Sequence, residues 1–177
     1  MITFIDIITN YYNSDYIKDR AILTTKNIDV EDINQQILKK ILDAEKFEYF
    51  SANLVEDNNQ VDRRLYSTEF LYLLTPSGML PYRLVLKKDV PVILLYNFDP
   101  FKRLYNSTRL MIKNCYKLVL DTKIITGVNK EKRIFIPRLR LTSADSDFPF
   151  QFVRRQFPMR LSFAIKLTKH KAKEFQL

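Results

Sequence analysis

The 177-residue chain is 46% hydrophobic and 13% aromatic, which excludes global disorder and suits one ordinary domain or a small domain carrying an insertion. Its single cysteine, Cys115, excludes an intramolecular disulfide and suits a reducing compartment, and with His170 as the only histidine a zinc site or a Cys–His nucleophile is excluded as well. Residues 1–62 hold 6 Lys+Arg against 12 Asp+Glu, and residues 63–177 hold 23 against 8, an asymmetry that suits either a polyanion partner or a solvated basic surface on the second part.

Residues 1–8 have no basic leader and Asp6 interrupts their apolar run, so no signal peptide is expected. No stretch nears the length of a membrane-spanning segment. Ile2, Ile5 and Ile8 predict a short helix within residues 1–12, and residues 11–15 read as a turn. Residues 20–24 form a short apolar run expected to be a buried strand. Asp29 is a candidate N-cap, and Val30, Ile33, Ile37, Leu38 and Ile41 predict an amphipathic helix over roughly 30–42. Strand, polar loop and helix make a βα unit of a layered α/β domain.

Residues 52–66 are polar and read as an exposed loop, 68–74 as a short helix, and Thr75-Pro76-Ser77-Gly78 as a turn. From Leu84 onward, apolar runs at 90–96, 109–113, 117–126 and 132–141 alternate with breakers, predicting several short strands in a small β-barrel or sandwich. Residues 159–167 predict one more strand, and 168–177 form a basic tail. Asp145 and Asp147 lie in Ser-Ala-Asp-Ser-Asp, a polar turn pattern.

The chemistry suggested by these residues is binding. Nucleotide hydrolysis needs a phosphate-cradling loop such as GxxxxGK[ST], and neither Gly78 nor Gly127 precedes Lys-Ser or Lys-Thr. Residues 150–163 interleave Phe150, Phe152, Phe157 and Phe163 with Arg154, Arg155 and Arg160. Single-strand binders use cations for the backbone and rings for stacking; alternatively the rings face the core and only the arginines reach solvent. Lys166, Lys169, Lys171 and Lys173 are phosphate candidates or a plain basic terminus. Thr24, Lys26 and Asn27 follow the first strand, where open α/β sheets bind ligands, although Asn27 could simply lead the chain into its helix.

Several segments, in this order, resemble the Pif-type (petite-integration-frequency) DNA helicases, a family that includes the helicase part of Helitron transposons. Ala21-Ile22-Leu23-Thr24 with Asn27, Val30, Ile33 and Asn34 is similar to the family's AILTPxNxxVxxIN. Leu86-Lys87, Pro91-Val92, Leu94-Leu95, Asn97 and Asp99 resemble LKVGAPVMLLRNLD, and Asn106, Thr108, Arg109 and Leu110 resemble NGTRL. Arg155-Gln156-Phe157-Pro158, Arg160-Leu161 and Phe163-Ala164 resemble RRQFPVRLAFA. The resemblance implies a partial second RecA-like domain (residues 1–66), a connecting helix and turn (67–83), an inserted SH3/OB-like β-barrel (84–150), and a return strand with a DNA-contact motif (151–177).

The same resemblance implies a nuclear setting, a single-stranded DNA partner and a separate ATP-binding helicase half. It places ATP and Mg²⁺ in that other half and none in this chain, which is expected to have no ATPase activity alone. In an intact relative the activity would be 5′-to-3′ DNA unwinding in repair, recombination, telomere maintenance or transposition. The expected nucleic-acid contacts are Thr24, Lys26, Asn27, Asn106, Thr108, Arg109, Arg154, Arg155, Lys166, Lys169 and Lys171. The departures matter too. The family's TINKSQGQT-like stretch is here Lys169-His170-Lys171-Ala172, and Ser107 and Val90 stand where the family carries glycine. A binding module without enzymatic activity and a non-functional transposon remnant are the alternatives.

Overall fold

A computed structural model describes residues 4–42, 44–56, 66–74, 79–99, 104–142 and 150–167. The chain begins with two short helices, α1 (Phe4–Thr9) and α2 (Ser14–Ile17). On α1 it is Ile7 that is fully buried, while Ile5, expected inside, is 73% exposed. Asn13 ends the expected turn by capping α2, its Oδ1 accepting from the N–H groups of Asp15 at 3.0 Å and Tyr16 at 3.1 Å. The strand β1 (Ile22–Thr24) and helix α3 (Asn27–Lys40) form the expected βα unit. Lys26, not Asp29, holds the N-cap position. Asp29 sits in the first turn, where it accepts from the Thr24 hydroxyl at 3.2 Å and complements the positive end of the helix.

Strands β2 (Lys46–Phe50) and β3 (Ala52–Glu56) follow, so the first five residues of the expected loop are a strand. Its register with a later strand buries Val55, which compensates for the polar residues beside it. The remainder of that loop and the turn at 75–78 lie outside the described residues. Helix α4 (Thr68–Leu73) is capped by the Ser67 hydroxyl, which accepts from the Phe70 N–H at 3.2 Å. Then come β4 (Arg83–Lys87), β5 (Pro91–Leu94), β6 (Arg109–Cys115), β7 (Val119–Ile124), β8 (Arg133–Pro137), β9 (Leu139–Thr142), β10 (Gln151–Gln156), β11 (Met159–Leu161) and β12 (Ala164–Lys166).

These strands build a five-stranded sheet β11-β5-β6-β7-β8, a three-stranded sheet β3-β10-β9, the antiparallel pair β2-β4 and the parallel pair β1-β12. The expected barrel does not close among the described residues; the sheets are open. The run 132–141 breaks at Arg138, because Pro137 has no N–H to continue a ladder, and β9 turns away to pair with β10. The expected single strand over 159–167 breaks likewise into β11 and β12, which join different sheets. Pairing of β2 with β4 and of β3 with β10 ties early residues to late ones across the expected divisions.

One continuous core joins Ile7, Ile17, Ile37 and Leu38 of the helices to Leu86, Leu94, Leu110, Leu120, Ile136, Phe157 and Phe163 of the strands. A smaller cluster under α4 holds Val55, Leu71, Phe150 and Phe152. Two buried polar side chains stitch the elements together. Asn34 of α3 donates to the carbonyls of Leu161 and Ala164, both at 3.1 Å, and accepts from the Ala164 N–H at 2.9 Å. Arg109, only 2% exposed, donates to the carbonyls of Ile17 (2.9 Å), Lys18 (3.0 Å), Arg20 (3.0 Å) and Ser162 (3.1 Å).

Two of the sequence departures land on turns. Ser107 has φ of 76°, a conformation that favours glycine, in the turn before β6. Between β4 and β5 the positive φ (58°) belongs to Asp89, while Val90 is buried, so the glycine-requiring position of that turn is Asp89 and not Val90.

Candidate nucleic-acid interface

Parallel pairing of β1 with β12 sets Thr24 opposite Lys166, and the Leu167 N–H donates to the Thr24 carbonyl at 2.8 Å. Both strands therefore end beside the N-terminus of α3. Thr24 and Lys166 are half-buried there, and Lys26 and Asn27 are exposed. The Thr24 hydroxyl oxygen also accepts weakly from the Lys26 N–H at 3.5 Å, holding the loop against the helix. The arrangement sets the positive end of α3 and two lysine cations on one edge, which suits a phosphate.

From this edge a cleft of about 530 Å³ runs between α3 (Asn27, Glu31, Gln35), the segment entering β4 (Leu80, Arg83), Tyr96, Asn106 and β11 (Arg160). Arg160 is half-buried, and its Nε has no hydrogen-bond partner among the described residues. Burial lowers its pKa from the ordinary guanidinium value, and the Glu31 carboxylate opposes that shift, so Arg160 remains a cation at neutral pH. A partly desolvated guanidinium lining a cleft attracts an anion.

Asn106 connects the cleft to a shallow polar groove of about 380 Å³ bordered by Tyr105, Ser107, Thr108, Thr126 and Asn129. Its N–H donates to Asn97 Oδ1 at 2.8 Å, and the Thr108 hydroxyl accepts from the Tyr105 N–H at 3.2 Å, which fixes the turn. Thus Thr24, Lys26, Asn27 and Lys166 share one edge, with Asn106 and Thr108 along the adjoining cleft and groove.

Two expected contacts are corrected. Arg109 is enclosed by the four carbonyls described above and presents no cation to solvent. Arg154 is fully buried: it donates to Asn53 Oδ1 at 2.9 Å and to the carbonyls of Leu80 at 2.5 Å and Leu74 at 2.8 Å, with its guanidinium 5.0 Å from the Phe152 ring centroid. Strand alternation sends Phe152, Arg154 and Gln156 inward together and leaves Arg155 outward. Arg155 is exposed on the three-stranded sheet, opposite Arg140 and Ala52. Phe150, Phe152, Phe157 and Phe163 all face the core. Lys169 and Lys171, like Asp145 and Asp147, lie outside the described residues.

The residue missed as a contact was Arg160, whose flanking Met159 and Leu161 are buried while it faces the cleft. That alternation was available in the sequence. Among the described residues no helix is long and apolar enough to cross a membrane, and no group of three or more His, Cys, Asp or Glu could hold a metal.

The chain has an open, sheet-rich α/β architecture that resembles part of solved DNA helicase structures. The likeness is to Pif1. It superposes on unliganded Pif1 from Bacteroides sp with a TM-score of 0.56 at 21% identity, covering 88% of this chain and 43% of that one. For Pif1 helicase from Candida albicans the TM-score is 0.57 at 17% identity, covering 97% and 45%. For Bacteroides Pif1 bound to ssDNA it is 0.58 at 19% identity, covering 97% and 40%. The chain spans less than half the length of each. No family model and no curated protein matches the sequence.

Proposed function

We propose that this chain is a helicase-derived segment that binds single-stranded DNA along the edge and cleft formed by α3, β12 and β11. The observation that carries the reading is Arg160, a half-buried guanidinium that lines the cleft beside the α3 N-terminus. The Pif1-like fold, and the presence of ssDNA in a Bacteroides Pif1 complex of the same architecture, support it. The SH3/OB-like reading of the β5–β8 region belongs to the same proposal, as do nuclear DNA repair, recombination or transposition as the setting and a separate ATP-binding half as partner.

The same proposal places ATP and Mg²⁺ in the separate half. The one described glycine, Gly127 (φ of 81°), sits in the β7–β8 connection and is followed by Val128, not by the Lys-Ser or Lys-Thr of a phosphate-cradling loop. This chain alone is expected to show no ATPase activity.

Fluorescence anisotropy with a labelled oligo-dT strand tests the reading. If Lys26, Arg160 and Lys166 each neutralise a phosphate, log affinity should fall with log salt at a slope of roughly −2. Arg160→Gln should weaken binding about tenfold and reduce the slope by about 0.7. Unchanged affinity and slope in Arg160→Gln would remove the cleft from the interface. A module that binds through another surface would instead hold polyanions equally well in Arg160→Gln and after deletion of residues 168–173.

A further inference from the structure

The cleft holds a carboxylate beside its guanidinium. Glu31 lines it from α3 and Arg160 from β11. Glu31 is exposed, and the Gln35 amide one turn along the helix donates to its Oε1 at 2.9 Å. That bond is an ordinary i,i+4 helix pair and occupies one carboxylate oxygen, which leaves Oε2 to accept from a ligand. Among the described residues Glu31 makes no ion pair. Arg160 lies within its electrostatic reach, because Glu31 opposes the lowering of the Arg160 pKa by burial, yet the two do not close a salt bridge. The third charged side chain lining the cleft, Arg83, is taken up by Glu48 across the β2–β4 pair. A ligand entering the cleft therefore meets one cation and one anion.

A carboxylate at this place repels a bare phosphate chain. A nucleotide that enters with its base resolves the conflict. Its phosphate meets Arg160, and an exocyclic amine on the base gives Glu31 a donor. Adenine, cytosine and guanine carry such an amine, whereas thymine and uracil carry a carbonyl oxygen at the position cytosine uses for it. Leu80, Leu84, Val85 and Leu95 supply apolar lining for the faces of a base, and about 530 Å³ accommodates one nucleotide unit. A basic peptide would satisfy Glu31 but be repelled by Arg160, and an acidic peptide would meet the reverse.

We propose that Glu31 makes the cleft selective for bases with an exocyclic amine, accepting a hydrogen bond from the amine while Arg160 holds the adjoining phosphate. This rests on the single-strand reading above and adds a base preference to it.

Oligo-dC and oligo-dU strands of one length test it, because their bases differ at the hydrogen-bonding edge and not in size. Anisotropy is read at mildly alkaline pH, where cytosine is neutral. The wild-type chain should bind oligo-dC about tenfold more tightly than oligo-dU. Glu31→Gln should bring that ratio close to one, chiefly by tightening the hold on oligo-dU, since an amide can donate to the uracil carbonyl. The substitution lies on an exposed helix surface, and a cooperative thermal melt will verify that the variant folds. Arg160→Gln should weaken both strands equally and keep their ratio. Equal wild-type affinity for the two strands, or a preference that persists in Glu31→Gln, would overturn Glu31 as the selecting residue; a loss of affinity in Arg160→Gln would then leave the cleft standing. Unchanged affinity in Arg160→Gln with the preference lost in Glu31→Gln would remove Arg160 from the interface and keep the base contact. Failure of both strands to bind the wild-type chain would overturn both readings.

Discussion

Replacing Arg109 with Ala should unlock the N-terminal helices from the strands. Its guanidinium bonds to three carbonyls between Ile17 and Arg20 and to the Ser162 carbonyl just before β12. The bonds to Ile17 and Ser162 are buried, and those to Lys18 and Arg20 are partly exposed and can rehydrate. Two buried acceptors losing a charged donor cost about 1–3 kcal/mol each, so Arg109→Ala should destabilise by about 4 kcal/mol. For a chain of this size each kcal/mol moves the melting temperature by about 2–4 °C, so the expected drop is about 12 °C. Urea unfolding followed by circular dichroism measures the free energy, and hydrogen exchange should show faster opening at Ile17–Arg20 than in β6 or β7. Arg109→Lys should recover only part, because one ammonium cannot satisfy a planar array of four acceptors. A loss below about 1 kcal/mol, or exchange unchanged at residues 17–20, would refute the assignment of Arg109 as an internal clamp.

Ser107→Gly should stabilise the protein by about 0.5–1 kcal/mol, because it relieves a positive φ in the turn before β6; an unchanged urea midpoint would contradict this. Asn34→Leu should destabilise by about 2–3 kcal/mol in the same assay, since it leaves the Leu161 and Ala164 carbonyls and the Ala164 N–H without their partner. Buried Asp121 is held below its ordinary value of 3.8, mainly by the Arg133 guanidinium and with help from the Asn114 amide. Because the folded value is depressed, its contribution is present above the ordinary carboxylate value of 3.8 and is lost as pH falls through the folded pKa; Asp121→Asn should flatten the acid limb of stability below that value. Burial raises the Cys115 thiol to about 11, so at pH 8 the native protein should react with a disulfide reagent about a hundredfold more slowly than the urea-unfolded chain.

Elements defined by local periodicity were legible in the sequence: β1, α3, α4 and the core strands from β5 to β8 follow from apolar spacing and turn residues. What periodicity does not encode is pairing. The run at 132–141 alternates cleanly throughout, yet Pro137 divides it between two sheets. Residues 52–56 look polar because Asn53 and Glu56 surround Leu54 and Val55, and only the partner strand β10 makes them a strand. The arginines failed as a class for a related reason. Charge counts every guanidinium alike, but Arg109 and Arg154 are surrounded by carbonyls that only the tertiary fold assembles. The same alternation that buries Arg154 beside Phe152 could have singled out Arg155 as the outward member of the pair.

The parallel pair β1-β12 also governs the order in which the molecule can be made. Ile22 is synthesised well before its partner Ala164. Until then Ile22 and Leu23 have an unpaired edge, and Asn34 lacks the strand it will clamp. Closing so long a loop carries its entropic cost before any long-range contact forms, so folding should be slow and governed by a late step. A nascent chain stalled before residue 164 should expose that edge to chaperones and to self-association, whereas release of the complete strand should bury it cooperatively.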